Sequence, residues 1–434
     1  LFPEDVLNTK EELMKTMAAL LLIVMAAFAA FAENTSADTN LSPAERSIAQ
    51  ANRMIEKNQQ NFEAYNALAL ALSRRARETS DVKYYTQAEA ALQKSFAIAP
   101  ENFDGARTHV WLLLGKHEFA AALEEAKMLN KKMPDDVMVY GFLTDANVEL
   151  GNYKEAETAA QWMLDLRPGN LPGLTRAAYL RELFGDIEGA LDLMNMALQS
   201  TPPSEVEDAA WIVTQMAHLE LARGNTAQAE KHLQQAVSLF PGYHYALGNL
   251  AKVRIQQKRY DEAIHLLEQR YQAAPHAENL YDLAEALQLA GRNDDAKKAF
   301  AEFERKSLLE TNRGDNSNRE LIFYYADYAH EPVKALEVAS REFARRRDVY
   351  TLDSYAWALH VNRRDQEASK QIEAALAVGI RDAKLIRHAS EIALKTVDNT
   401  AAHKYLQQAA LLNAAESEQA RALLARLSPT AARQ

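Results

Sequence analysis

A chain of 434 residues carrying 49 Lys and Arg against 60 Asp and Glu has a formal net charge of -11, an excess of acid that argues against a general nucleic-acid platform. It contains no cysteine, which excludes disulfides, iron–sulfur clusters, thiol catalysis and zinc held through sulfur. The length exceeds a usual single core, but a periodic chain need not divide into globular domains, because each unit buries its face against the next.

Residues 1–13, LFPEDVLNTKEEL, are acidic and read as an upstream extension ahead of a start at Met14. Lys15 then supplies a positive flank, Met17 to Ala32 an apolar run, and Ala30-Phe31-Ala32 a small-x-small cleavage site. This pattern predicts a secretory signal peptide over 14–32, cut before Glu33, with an uncleaved inner-membrane anchor as the competing reading. No cysteine follows to accept a lipid. Residues 33–41 form a Ser-, Thr- and Asn-rich linker. Ser42-Pro43-Ala44-Glu45 predicts a helix start with a capping box, Pro43 at the first helical position, and a helix running to about Lys57.

The main body begins at Asn61. Pro100, Pro134, Pro168 and Pro202 each follow the last by 34 residues, and the same interval recurs from Pro241 to Pro275. Between these prolines the chain reads as two amphipathic helices joined by a tight turn, seen most plainly in Asp135 to Pro168, which breaks at Gly151. A fixed period of this kind marks a solenoid of helical hairpins. Small residues at Ala156, Ala190, Ala229, Ala263 and Ala296 fall where two helices must approach to about 8–10 Å. Two units are irregular. The first carries extra residues over Arg75 to Lys83, assigned to its hairpin loop, and an early helix start over Pro203 to Glu207 lengthens the unit that ends at Pro241. In the unit from Phe103 to Pro134, Gly115 stands four residues before Phe119, which predicts a different hairpin turn.

Thr311 to Asn318, TNRGDNSN, has turn formers and no apolar period, and reads either as an ordered inter-repeat loop or as a joint between two superhelical segments. Beyond it come helical pairs over Leu321–Ala329 with Pro332–Arg345, Leu352–Val361 with Gln366–Ala377, and Asp382–Lys395 with Thr400–Leu412. A capping helix over Glu416–Leu427 precedes a tail at 428–434. The organisation is therefore an N-terminal array over 42–310, the 311–318 loop, and C-terminal repeats over 319–427.

These residues resemble the tetratricopeptide-repeat family, whose consensus has a large residue at repeat position 4, Leu at 7, small residues at 8 and 20, Gly at 15, an aromatic at 17 and Pro at 32. Tyr140, Leu143, Gly151, Tyr153, Ala156 and Pro168 occupy positions 4, 7, 15, 17, 20 and 32 of one unit. Leu174, Ala178, Gly185, Ile187 and Ala190 match positions 4, 8, 15, 17 and 20 of the next. The resemblance covers about Asn61 to Leu412 and implies an all-α, right-handed superhelical solenoid of the bacterial exported type. It also implies that the first helix of each hairpin lines a concave, partner-binding side.

No nucleophile elbow, Walker loop, HExxH or dinucleotide fingerprint is present, so no catalytic residue, cofactor or metal site is expected. His218, His232 and His244 are read as separate surface or interface side chains. Arg341, Arg345, Arg346 and Arg347 are read as complements to a helix dipole, and at least one of Tyr324, Tyr325 and Tyr328 is assigned to packing. The family's accessible concave positions, 2, 5, 6, 9, 12 and 13, carried onto this chain select Arg107, Trp111, Asp145, Arg176, Tyr179, Gln215, His218, Asn249, Lys252 and Asp282. Arginine can clamp a carboxylate, Trp111 and Tyr179 can bury ligand carbons, and Asn249 or Gln215 can pair with peptide amides. The repeated Lys and Asn of family members that clamp a terminal carboxylate are missing.

The expected function is a non-enzymatic scaffold of the bacterial cell envelope that binds a protein or peptide in its concave groove. It would be periplasmic, with no membrane insertion after signal cleavage, and associated with an envelope complex. The alternatives are an accessory subunit of a peptide- or glycan-processing complex, or an enzyme with a site hidden in the repeats.

Overall fold

The computed structural model describes residues 41–314, 316–396, 399–411, 421 and 424; the extension, signal-peptide, linker, capping-helix and tail readings lie almost wholly outside them. After α1 (Pro43–Lys57) the helices run as hairpins. These are α2 (Phe62–Thr79) with α3 (Lys83–Ile98), α4 (Phe103–Gly115) with α5 (Phe119–Lys132), α6 (Val137–Glu149) with α7 (Tyr153–Leu166), and α8 (Leu171–Leu183) with α9 (Ile187–Ser200). Next come α10 (Val206–Ala222) with α11 (Thr226–Leu239), α12 (His244–Gln256) with α13 (Tyr260–Ala273), and α14 (Ala277–Leu289) with α15 (Asn293–Glu310). The chain continues through α16 (Asn318–Phe323), which runs into a π-turn at Tyr324–Tyr328, then α17 (Pro332–Arg345), α18 (Val349–Val361) with α19 (Asp365–Ala377), and α20 (Ala383–Lys395) with α21 (Asn399–Leu411). The architecture is an all-α stack of helical hairpins.

Local chemistry sets each hairpin. The side chains of Asn61, Asn102, Asp136 and Asn170 accept from the third backbone N–H of α2, α4, α6 and α8, satisfying donors that a helix start leaves bare. α1 has the expected capping box between Ser42 and Glu45, with Pro43 in the first turn. Ala156, Ala190, Ala229 and Ala263 are fully buried, as close helix crossings require. Gly151 turns α6 into α7 at φ +77°, in the left-handed region that glycine enters without a Cβ penalty.

Three details differ from the sequence reading. The turn between α4 and α5 is not a different one. His117, 34 residues before Gly151, takes the left-handed place at φ +57°. The residues after Arg75 do not enlarge a loop, because α2 continues to Thr79 and only 80–82 connect it to α3. The arginines after α17 do more than face a helix dipole, since Arg346 and Arg347 join distant turns of the solenoid.

That joining is the main tertiary feature. The Arg347 N–H donates to the Glu149 carbonyl at 2.8 Å and the Val349 N–H to the Tyr153 hydroxyl at 2.9 Å. Arg346 reaches the Glu149 carboxylate at 3.7 Å. Gly314 abuts the backbone of Lys116 and His117, and Gly185 abuts that of Gly379. Each contact spans close to 200 residues, so the second turn of the superhelix rests on the first along a seam. Thr311 to Asn318 supports this seam. Ser317 and Asn318 are fully buried, and Asn318 donates to the Glu342 carboxylate at 2.7 Å and to the Thr311 carbonyl at 3.1 Å. Tyr324, Tyr325 and Tyr328 all join the aromatic core beside it, with the Tyr325 and Tyr328 hydroxyls donating to Glu304 and Glu285, each at 2.8 Å.

Buried titratable groups give these contacts a pH signature. Burial, with Arg346 adding to it, pushes the His117 imidazole down to about 4, and burial does the same to His244. Burial, with Asp348 adding to it, lifts the Glu149 carboxyl to about 8. The histidines are neutral when folded and gain protons on unfolding, so their contribution is complete above their ordinary value of 6.5 and is lost as pH falls through about 4. Glu149 keeps its proton when folded, so its contribution is complete below its ordinary value of 4.5 and is lost as pH rises through about 8. Urea midpoints taken across pH are expected to peak near pH 6.5, falling on either side by up to about 1.4 kcal/mol per pH unit per net proton. Glu149→Gln is expected to flatten the alkaline side alone.

Candidate functional site

The first helices α2, α4, α6, α8 and α10 surround a cavity of about 650 Å³, within the range of ligand sites. Its apolar wall comes from Leu70, Trp111, Met138, Phe142, Tyr179, Met194, Trp211 and Ile212. Trp111 stands edge-on to Phe142 at 6.2 Å between ring centres, a favoured aromatic geometry that fixes the indole plane.

The charged wall is built from pairs. Arg176 forks onto Asp145, Nε to Oδ1 at 2.8 Å and Nη2 to Oδ2 at 2.5 Å, while Nε also donates to the Gly141 carbonyl at 3.1 Å. Arg107 bridges Asp136 at 2.8 Å and Asp104 at 2.9 Å. Arg77 pairs with Glu207, with Asp208 at 3.4 Å from the same nitrogen. Arg74 is held most loosely, 4.0 Å from Glu205. At the far wall Glu182 meets His218 at 2.7 Å; burial opposes the charged imidazole, but this carboxylate outweighs it and raises the His218 pKa. Burial, with Tyr350 and Glu149 nearby, drives the Tyr179 hydroxyl well above its ordinary range, so it is a neutral group at any physiological pH.

Of the residues selected from sequence, Arg107, Trp111, Asp145, Arg176, Tyr179 and Gln215 line this cavity. The other four do not. His218 stands behind Glu182, Lys252 is exposed on α12, Asn249 donates to the Tyr245 carbonyl at 3.0 Å, and Asp282 holds Arg270. His218, His232 and His244 have separate partners, namely Glu182, Gln228 and the Arg77 carbonyl. Among the described residues no group of three or more His, Asp or Glu could hold a metal ion.

Sequence reasoning missed Arg74, Arg77, Met138, Asp208 and Trp211. Trp211 falls at repeat position 2 of its unit, as Met138 does in its own, so the register that selected the other residues could have found both. Arg74 and Arg77 had no such signal, because the irregular length of their unit hides the register.

The tetratricopeptide repeat family model matches residues 220–278, spanning the end of α10 through the start of α14. The chain is a tetratricopeptide-like, all-α helical-repeat protein. No curated protein sequence matches this repeat protein significantly. Among solved structures it is similar to human IFIT1 bound to PPP-AAAA, at 12% identity over 85% of this chain and 95% of that one, with a TM-score of 0.48. It is also similar to yeast Tom70, at 13% identity over 88% and 95% of the two chains, with a TM-score of 0.40. A third likeness is to a chain of the APC/C hetero-tetramer Cut9-Hcn1, at 14% identity over 77% of this chain with a TM-score of 0.47; there the repeat protein spans only 56% of the other chain.

Proposed function

We propose that this repeat protein is a non-enzymatic interaction scaffold, exported to the bacterial cell envelope, that holds a protein or peptide partner in the cavity inside its first turn. The observation that carries the reading is that cavity of about 650 Å³, where two tryptophans and a tyrosine share walls with arginines already fixed by carboxylates. Side chains set in place by packing and paired charges lose little freedom on binding, which favours affinity. Buried aromatics at the centre of an interface carry a disproportionate share of its energy. Export rests on the Lys15, apolar-run and Ala30-Phe31-Ala32 pattern, and the envelope complex is the setting where an exported scaffold would find a partner.

The test is expression from Met14 in a bacterium with an intact envelope, followed by fractionation and crosslinked-partner capture. The expected result is a mature chain beginning at Glu33 in the periplasmic fraction, with one reproducible partner. Trp111→Ala and Trp211→Ala are each expected to weaken capture at least tenfold, about 1.4 kcal/mol. An unprocessed chain in the membrane fraction would reject cleavage, and capture unaffected by either substitution would reject the cavity as the binding site.

A further inference from the structure

The two units that break the 34-residue period meet each other in space. In the first, the extra residues after Arg75 form the last turn of α2, which carries Arg77. In the second, the extra residues between Pro202 and Pro241 extend α10 backward to Val206, so that its first turn carries Glu207 and Asp208. Arg77 binds both carboxylates. The contact is reinforced by Tyr243, whose hydroxyl donates to Glu207 at 3.4 Å, and by His244, whose Nε2 donates to the Arg77 carbonyl at 3.1 Å. Glu207, Tyr243 and His244 are buried. The arc of α2, α4, α6, α8 and α10 is thereby closed into a ring, and the concave surface becomes a chamber without a lateral opening between α2 and α10.

Ring closure restricts what can enter. A segment whose two ends continue into folded structure can be laid into an open groove from the side, but it cannot pass sideways through a closed ring. A free chain end can enter along the axis. The chamber's polar groups further select which end. The indole N–H groups of Trp111 and Trp211 and the Gln215 amide make no hydrogen bond to other described residues, and Arg74 has only its 4.0 Å contact with Glu205. The facing Asp145 carboxylate is already taken on both oxygens by Arg176. Spare donors therefore exceed spare acceptors, which suits a carboxylate and not an ammonium group.

We propose that the chamber receives the carboxyl-terminal end of a partner chain, its last side chain bulky and apolar, and that the Arg77–Glu207 latch excludes internal segments. The proposal rests on the reading of the chamber as the partner site. It names the part of the partner that enters and the contact that controls entry.

The test uses a pool of random hexapeptides ending in Phe, Leu or Trp, selected on the full chain and read by mass spectrometry. The tightest member is then remade in three forms: free at the carboxyl end, amidated there, and flanked on both sides by folded domains. The free form is expected to bind, the amidated form at least tenfold more weakly, and the doubly flanked form at least a hundredfold more weakly. Glu207→Gln is expected to restore the flanked form to within tenfold of the free one, and Arg77→Met is a second latch variant should the first fold poorly. Equal binding of free and flanked forms to the unaltered protein would overturn the latch while leaving the chamber as a site. Equal binding of the amidated form would overturn carboxylate recognition. N-acetyl-phenylalanine binding as tightly as the hexapeptide would show that a small carboxylate, and not a chain end, is the ligand. If no peptide is selected and Trp111→Phe and Trp211→Phe leave envelope-partner capture unchanged, the chamber reading falls and takes the proposal with it.

Discussion

Replacing Gly185 with valine is expected to destabilise the protein by about 3 kcal/mol and to part its two turns. Gly185 sits at φ +80°, where an L-residue costs roughly 1–2 kcal/mol and a β-branched one at least that. An added Cβ would also stand 2.5 Å from the Gly379 carbonyl oxygen across the seam, so one backbone must retreat. Gly291 provides the control. It has nearly the same conformation, φ +76°, but nothing within 4 Å of its added Cβ. Gly291→Val should therefore cost the backbone strain alone. Urea midpoints would give the difference, and hydrogen exchange should rise around Gly379 for Gly185→Val only. Equal costs for the two variants would mean that the seam contributes nothing.

Asp353→Ala is expected to cost about 3–5 kcal/mol, the usual range for removing one member of a buried, hydrogen-bonded ion pair. Asp353 and His388 are both buried, with Nδ1 at 2.7 Å from the carboxylate. The imidazole stacks on Trp357 at 4.1 Å, and that indole in turn donates to Asp327 at 2.8 Å. Deleting the carboxylate strands the His388 N–H in an apolar setting and frees a ring on which α16, α18 and α20 converge. Thermal unfolding would read the loss. Asp353→Asn, which keeps an acceptor, is expected to recover about half of it.

The fold was legible because its determinants are local and repeated. Pro100 through Pro275, Gly151, Gly185 and the buried alanines each announce one hairpin, and every hairpin uses the same turn. Where a different residue carried the same backbone conformation, the pattern misled. His117 fills the place of Gly151 at φ +57°, and nothing in its side chain signals that role. The seam was illegible for a different reason. Glu149 and Arg347, or Gly185 and Gly379, come together only after six hairpins have each added a small rotation, and no spacing in the sequence encodes that sum. The same reason divides the site. Arg107, Trp111, Asp145, Arg176 and Tyr179 were found by repeat register, whereas Arg77 and Glu207 lie in the two stretches where the register fails. Those stretches were treated as tolerated irregularities, yet their added helical turns build the contact that closes the chamber.

The most direct test of the account replaces Trp211 with the photocrosslinker p-benzoylphenylalanine in cells and, separately, does the same at Trp162. Trp211 lines the chamber, whereas Trp162 is 48% exposed on α7, stacked against Tyr140. Irradiation is expected to give a discrete partner adduct from position 211 and none from position 162. An adduct from position 162 with none from 211 would place the partner on the outer helices and contradict the account.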